Sequence, residues 1–106
     1  MANVLAIFNL SNSVPRPKIN GVTSSYSPHH KFSSIPWLAS GRHQYKDDSR
    51  HYPGESLITT ITFVSWEYIC KNIKSGDTFE VREGGRMVGQ GKIITIFNED
   101  KRLKNE

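Results

Sequence analysis

The chain has 106 residues, 23% of them charged and 36% hydrophobic, a composition typical of one soluble globular domain and not of a disordered chain. Its single cysteine, Cys70, excludes an internal disulfide and a cysteine-cluster zinc site, and suits a reducing compartment. The apolar N-terminus lacks the flanking signals of a secretory leader, and no apolar run approaches the ~20 residues that span a bilayer. We therefore expect a cytoplasmic protein.

The net charge of +4 is unevenly distributed along the chain. Residues 1–54 contain six Lys/Arg, two Asp/Glu and all four histidines, whereas residues 55–106 contain eight Lys/Arg and eight Asp/Glu. Such asymmetry favours contact with a polyanion, and an ordinary solvated basic surface is the alternative interpretation.

The first half of the chain predicts short strands separated by long loops. Val4–Leu10 predicts a strand whose alternation is imperfect, so both of its faces are expected to be partly covered. Residues 11–25 predict a loop because they contain two prolines and an Asn-Gly turn. Residues 26–32 predict a second strand. Pro28 within this run favours either a strand at a sheet edge or the start of a strand. Residues 35–39 predict a short strand or turn, and the polar residues 40–54 predict the longest irregular segment.

The second half begins with the clearest strand pattern, LITTITFV at residues 57–64. The period then changes. Trp66, Ile69, Cys70 and Ile73 recur at helical spacing, which predicts a short helix with Ser65 as its N-cap. Residues 98–106 are charged, and we expect them to form a frayed tail.

Residues 78–97 predict a β-hairpin. Residues 78–83 alternate with a period of two, and Gly84-Gly85 can adopt the positive φ that a type I′ turn requires at both central positions. Residues 86–97 return as a strand, in which Gly89 and Gly91 indicate a bulge or a close backbone approach. With about six short strands and one helical segment, the chain is expected to be all-β, as a barrel or a sandwich.

No convergent set of catalytic or metal-binding residues is visible in the sequence. The chain lacks a phosphate-binding P-loop, and its glycine-rich run lies inside a hairpin, where no dinucleotide loop forms. The histidines are irregularly spaced, Cys70 belongs to an apolar stripe, and Asp47 and Asp48 are adjacent loop residues. We therefore expect no enzyme activity, no metal site, no cofactor and no bound nucleotide.

Residues 79–91, FEVREGGRMVGQG, closely resemble the F-x-[IV]-R-E-G-G-R-x-V-G-x-G run near the end of the third, C-terminal domain of bacterial elongation factor Tu. Pro53-Gly54-Glu55 with the strand that follows resembles the PGD/PGE-plus-strand of that family. Tyr26-Ser27-Pro28, followed by Phe32, is similar to its Y-R-P-x-F-x-F segment. The resemblance covers nearly the whole chain and is strongest in the C-terminal half.

The resemblance implies a six-stranded antiparallel β-barrel over residues 1–97. In the family this domain is not catalytic: it packs against the GTPase domain, contacts the T-stem backbone of aminoacyl-tRNA and docks the nucleotide exchange factor. By position, the tRNA-facing residues would be Lys18, His29, Glu83 and Gly84.

The chain departs from the family pattern at several of these positions. His29 replaces a glutamine, Lys18-Ile19 replace an arginine–histidine pair, and His30 replaces the first of two strand phenylalanines. Residues 65–75 are about four residues longer than their counterpart. The 106 residues include neither the GTPase domain nor the middle domain of the family, so we expect a stand-alone module without a GTP switch.

Two functions of different class follow from these observations. One is a translation-linked interaction module that binds a protein partner of elongation factor Tu, such as a GTPase domain, an exchange factor or a toxin. The other is an RNA-binding module that contacts the backbone of the tRNA acceptor/T-stem region. The candidate contact residues for both are Lys18, His29, Lys31, Arg42, Lys46, Arg50, Glu83, Gly84, Gly85 and Arg86.

Overall fold

The structure is a computed structural model that describes residues 2–97. It is all-β, with a closed barrel of six antiparallel strands and one short helix, which confirms the expected fold class. In chain order the elements are β1 (Val4–Leu10), β2 (His29–Phe32), β3 (Ala39–Gln44), β4 (Ser56–Phe63), α1 (Trp66–Ile69), β5 (Thr78–Glu83) and β6 (Arg86–Ile96). Around the barrel the strand order is β1-β4-β3-β2-β5-β6. The tail predicted over residues 98–106 lies outside the described residues.

The core lies inside the barrel because alternate side chains of each strand point inward. In β1 the inward residues Val4, Ala6, Phe8 and Leu10 are each at most 1% exposed. This strand pairs with β4 on one side and β6 on the other, so the sheet closes and its edges are covered. Within residues 2–97, no helix is long and apolar enough to cross a membrane.

Strand β3 is the main error of the sequence prediction, which placed it in an irregular segment. Its inward positions are small or polar, with Ala39, Gly41 and His43 all buried. Gly41 fits a crowded interior, since a Cβ there would lie 2.9 Å from Ile61 Cγ2. Hydrophobic periodicity cannot detect a strand whose buried face carries no large apolar side chain.

Two other elements are shorter than predicted. Strand β2 begins only at His29, directly after Pro28, which has no N–H to donate to a ladder. Helix α1 spans a single turn, and Ser65 precedes it without a side-chain capping hydrogen bond. The apolar stripe is nevertheless placed as predicted, because Ile69, Cys70 and Ile73 are all buried.

The β5–β6 hairpin forms where the sequence predicts it, with Glu83 opposite Arg86. The turn differs from the expected type I′, since Gly84 has φ of 62° whereas Gly85 has no positive φ. Positive φ at the first central position alone is the pattern of a type II′ turn. The pairing also shifts register between Val81 and Arg82, which lie opposite Gly89 and Met87, so the predicted irregularity occurs next to Gly89.

The antiparallel order defines two ends of the barrel. One end, here called the hairpin end, carries the loop of residues 11–28, the loop of residues 45–55 and the Gly84-Gly85 turn. The opposite end carries residues 33–38 and the segment of residues 64–77, which includes α1. The β1–β2 and β3–β4 loops contact each other through a β-bridge between Val22 and His51.

Candidate interaction surface

The fold brings most of the candidate residues to the hairpin end. These are Lys18, Lys46, Arg50, Glu83, Gly84, Gly85 and Arg86. The other three lie on the outer wall of the barrel, His29 and Lys31 on β2 and Arg42 on β3. The candidate set is therefore one end of the barrel with an adjoining part of its wall.

Glu83 is the centre of a compact cluster at the hairpin end. Its Oε2 lies 2.8 Å from the Lys18 ammonium and accepts a hydrogen bond of 2.5 Å from the Tyr26 hydroxyl. The Lys18 ammonium also lies 5.3 Å from the centroid of the Tyr26 ring, within range of a cation–π contact. The cluster attaches the long β1–β2 loop to the hairpin, across 57 residues of sequence between Tyr26 and Glu83.

The protonation states of this cluster follow from its contacts. Partial burial opposes ionisation of Glu83, but the hydrogen bonds from Lys18 and Tyr26 outweigh it and hold the pKa of Glu83 below its usual value. Burial and the Glu83 carboxylate raise the pKa of Tyr26, so its hydroxyl stays protonated and donates a hydrogen bond to Glu83. At neutral pH the cluster is an ionised carboxylate held by one ammonium and one hydroxyl.

The turn itself is braced from both sides. Arg86 Nε donates to the carbonyl oxygen of Arg16 at 3.0 Å, and Arg82 Nη2 donates to the carbonyl oxygen of Gly85 at 2.9 Å. Gly84 and Gly85 are exposed, and a Cβ built on either would have no heavy atom within 4 Å. The tip, Gly84-Gly85, is therefore exposed backbone whose position is fixed by the hydrogen bonds of Arg82 and Arg86.

The loop of residues 45–55 is held by His51. Its Nδ1 lies 3.0 Å from Glu55 Oε1 and its Nε2 lies 2.9 Å from Asp47 Oδ1. The hydrogen bond with Glu55, followed by the contact with Asp47, raises the pKa of His51 above its ordinary value. With both ring nitrogens donating, the imidazolium form joins the two carboxylates and organises the loop.

The candidate cations divide into those with an internal acceptor and those without one. Lys18 and Arg86 contact the Glu83 cluster, and Arg50 Nη1 donates to the carbonyl oxygen of Asn20 at 2.8 Å. Ion pairs within residues 2–97 do not include Lys31, Lys46 or Arg42. Lys18, Arg50 and Arg86 therefore hold the hairpin end together, whereas Lys31, Lys46 and Arg42 are the candidate cations without an ion pair among the described residues.

A pair of buried histidines lies inside the barrel. His30 and His43 are both 0% exposed, and their Nε2 atoms are 2.8 Å apart. His30 Nδ1 lies 2.9 Å from the carbonyl oxygen of Ala39, and His43 Nδ1 lies 3.0 Å from the Tyr45 hydroxyl. A carbonyl only accepts, so His30 donates through Nδ1 and accepts at Nε2, which makes His43 the donor through Nε2. The Tyr45 hydroxyl then donates to His43 Nδ1.

With both rings neutral, this chain of hydrogen bonds satisfies all four ring nitrogens. Burial lowers the pKa of His30 to about 4 and lowers the pKa of His43 well below its usual value. No group of three or more His, Cys, Asp or Glu side chains in residues 2–97 is placed to hold a metal ion. The pairing of His30 with His43 joins β2 to β3, and no local sequence pattern signals it.

No protein-family model matches the chain, and no curated protein matches it in sequence. The resemblance to the third domain of elongation factor Tu thus depends on the residues quoted above, chiefly the run from Arg82 to Gly91. The fold and the surface define the class: a closed antiparallel barrel with a braced, exposed hairpin tip.

Replacing Glu83 tests whether the cluster is structural. We expect Glu83→Ala to lower the free energy of unfolding by about 1–2 kcal/mol, because it removes a charge-assisted hydrogen bond and leaves the Tyr26 hydroxyl without its acceptor. Glu80→Ala is the matched control, since the Glu80 carboxylate contacts Arg82 on the outer wall and its loss should cost about 0.5 kcal/mol or less. Urea denaturation measures both, and equal losses would show that the cluster does not hold the loop.

Proposed function

We propose that this chain is a non-catalytic, translation-linked interaction module that binds a protein partner of elongation factor Tu through the hairpin end of its barrel. The partner is a GTPase domain, an exchange factor or a toxin that recognises the factor. The closed six-stranded barrel agrees with the fold that the resemblance implies. Because one fold can support many functions, the proposal depends on the surface and not on the barrel.

The braced tip is the observation that carries the proposal. Gly84 and Gly85 project from the barrel with open space around them, while Arg82 and Arg86 fix the turn from either side. A surface that is already ordered loses little conformational entropy when a partner binds. Backbone without side chains also permits close approach by a partner's surface.

Electrostatics favour a protein partner over RNA at this end. The loops of residues 11–28 and 45–55 together with residues 83–86 contain five Lys/Arg and four Asp/Glu. Lys18, Arg50 and Arg86 are already committed to internal acceptors. A nucleic-acid surface relies on cations that are free to contact phosphates, and little net positive charge remains here.

RNA binding is the second candidate function, and one observation favours it. Arg42 and Lys31 lie on the outer wall and Lys46 lies in an adjoining loop, and all three are exposed without an ion pair among the described residues. Contacts from these side chains would read the shape of an A-form backbone and would weaken as salt rises. Lys18 is a poor probe of this function, because its loss also releases Glu83.

A binding panel distinguishes the two functions. The purified chain is titrated by calorimetry with the isolated GTPase domain of elongation factor Tu, with its exchange factor, and with deacylated tRNA at 50 mM and 200 mM salt. We expect binding to one of the proteins, with an affinity that Arg42→Ala and Lys46→Ala leave unchanged.

The contrary result is equally specific. Binding to tRNA alone, with an affinity that falls steeply with salt and with Arg42→Ala, would replace the protein-partner function with the RNA function. If neither protein nor tRNA binds, a toxin that recruits the factor is the remaining partner of the proposal. If such a toxin does not bind the chain either, the proposal is refuted.

A further inference from the structure

The outer wall of the barrel contains a groove that crosses four strands. Two neighbouring rows of outward-facing residues form it, one from Asn9 on β1 to Lys31 on β2, the other from Ile7 on β1 to Ser33 just after β2. The cavity between the rows has a volume of about 540 Å³. We call it the wall groove. It is open along its length and runs over the outer wall from Asn9, near the hairpin end, to Ser33 and Thr78, at the opposite end of the barrel.

Two lysines give the wall groove its charge. Lys31 on β2 and Lys92 on β6 both line it, both are exposed, and neither forms an ion pair within residues 2–97. The one acidic side chain in the lining is Glu80, whose Oε1 lies 2.6 Å from Arg82 Nη1. Because Arg82 neutralises that carboxylate, the groove presents two unmatched positive charges.

The spacing of these lysines fits an extended polypeptide. β2 and β6 are separated by β5, and the two lysines lie in adjacent outward rows, so their Cα atoms are about 12 Å apart by ordinary strand geometry. An extended chain advances ~3.3 Å per residue, which places side chains i and i+4 on one face about 13 Å apart. Two carboxylates at that separation would each meet one ammonium.

The remaining lining suits a peptide backbone. On β5, between the two lysines, the exposed Thr78 lies beside Glu80, and the exposed Gln90 lies next to Lys92 on β6. The Thr78 and Gln90 side chains carry hydrogen-bond donors and acceptors. At the β1 side, Ile7 is half-buried and lies next to Lys92 in the same row. It offers an apolar contact to a residue that precedes the first carboxylate by two positions.

We propose that the wall groove binds an extended acidic segment of the protein partner, with one carboxylate on Lys92, a second four residues further on against Lys31, and an apolar side chain on Ile7. This inference rests on the proposed function and adds the chemistry of the partner to it. The positive charges of Lys31 and Lys92 favour acidic residues in the bound segment, and the distance between the two lysines favours acidic residues four positions apart.

The test is an NMR titration of the whole chain with the peptide acetyl-Leu-Ser-Glu-Ser-Ser-Ser-Glu-amide. We expect backbone amide shifts confined to the strands that line the groove, and at least fivefold weaker binding in each of Lys31→Gln and Lys92→Gln. Lys74→Gln is the matched control, since Lys74 is exposed and does not line the groove, and it should bind as the unaltered chain does. The same peptide with lysines in place of its glutamates should not bind.

Three outcomes would overturn the inference. The peptide could leave the amides of the groove unshifted, or a peptide with adjacent glutamates could bind equally well, which would remove the spacing argument. Inorganic phosphate at the same concentration could produce the same shifts, which would make the groove a site for small anions. None of these results bears on the proposed function, because the panel of translation proteins is measured separately. Conversely, if no protein in that panel binds the chain, the NMR titration still shows whether the groove binds the acidic peptide.

Discussion

Lowering the pH from 7 to 5 is expected to reduce the free energy of unfolding by about 4 kcal/mol, through the buried histidine pair. His30 and His43 are held neutral inside the barrel, and their folded pKa values lie below that of an unfolded histidine. As the pH falls below about 6.5, the unfolded chain therefore binds up to two more protons than the folded chain. Each proton costs about 1.4 kcal/mol of stability per pH unit.

The sign of this effect distinguishes it from the other titrating groups. Stability from the pair is fully present above pH 6.5 and is lost as the pH falls towards the pKa of His30, about 4. His51 acts in the opposite direction, because its raised pKa stabilises the fold most at low pH. The lowered pKa values of Asp47, Glu55 and Glu83 act only near and below their ordinary range. The interval between pH 6.5 and 5 therefore reports mainly on the pair.

Urea denaturation at pH 7, 6 and 5 measures the effect. Tryptophan fluorescence can follow it, since Trp66 stacks on Phe63 of the core with ring centroids 6.1 Å apart. The double substitution of His30 and His43 by leucine removes both titrating groups together and should abolish most of the pH dependence. His29→Gln, on the outer wall, should leave most of the pH dependence intact, because burial is the largest cause of the lowered pKa of His30. A free energy of unfolding that stays constant between pH 7 and 5 would contradict the neutral, hydrogen-bonded pair.

Gly91→Ala is expected to destabilise the barrel by about 3 kcal/mol or more, whereas Gly85→Ala in the same hairpin should change stability by less than about 0.5 kcal/mol. A Cβ on Gly91 would overlap the Phe79 ring and lie 2.6 Å from the carbonyl oxygen of Ile7. The backbone of β1 cannot move aside as the end of a flexible side chain can, so the loss of stability is large. Gly85 has open space around it and no positive φ, so alanine fits there without strain.

Thermal unfolding followed by circular dichroism compares the two variants. Gly89→Ala provides a second case, because a Cβ there would overlap the carbonyl oxygen of Asn9 and lie 2.8 Å from Phe8 Cε1. We expect both interior variants to unfold well below the parent chain, with Gly85→Ala close to it. Equal stability of all three variants would mean that β6 does not approach β1 and β5 as closely as described.

The sequence predicts the hairpin well because residues 78–83 alternate with a period of two, and it predicts β1 because that short run is apolar at every position but Asn9. The hairpin bounds agree at Thr78–Glu83, and β1 agrees at Val4–Leu10. Strand β3 escapes prediction for a physical reason: inside a narrow barrel, Gly41 and His43 occupy positions that a larger sheet would fill with valine or leucine. Burial there is decided by space and hydrogen bonding, not by hydrophobicity.

The candidate surface was predictable as a set of residues but not as an arrangement. The resemblance indicates Lys18 and Glu83 as contact residues, each on its own. The structure shows that they contact each other, and that Tyr26 joins them. Such contacts depend on how the β1–β2 loop folds over the hairpin, and no local pattern encodes a pairing across 57 residues. The consequence for function is that the glycine tip, and not Lys18 or Glu83, is the cleanest position at which to test binding.

The most direct test of the central proposal is therefore a charge placed on the tip. Gly85→Glu should fold normally, since its side chain extends into open space, and it should weaken binding to the translation protein found in the panel by at least tenfold. Val64→Glu introduces the same charge at the opposite end of the barrel, where Val64 is 85% exposed, and should bind that protein as the parent chain does. If Gly85→Glu binds as tightly as the parent, or if Val64→Glu loses binding instead, the hairpin end is not the interaction surface.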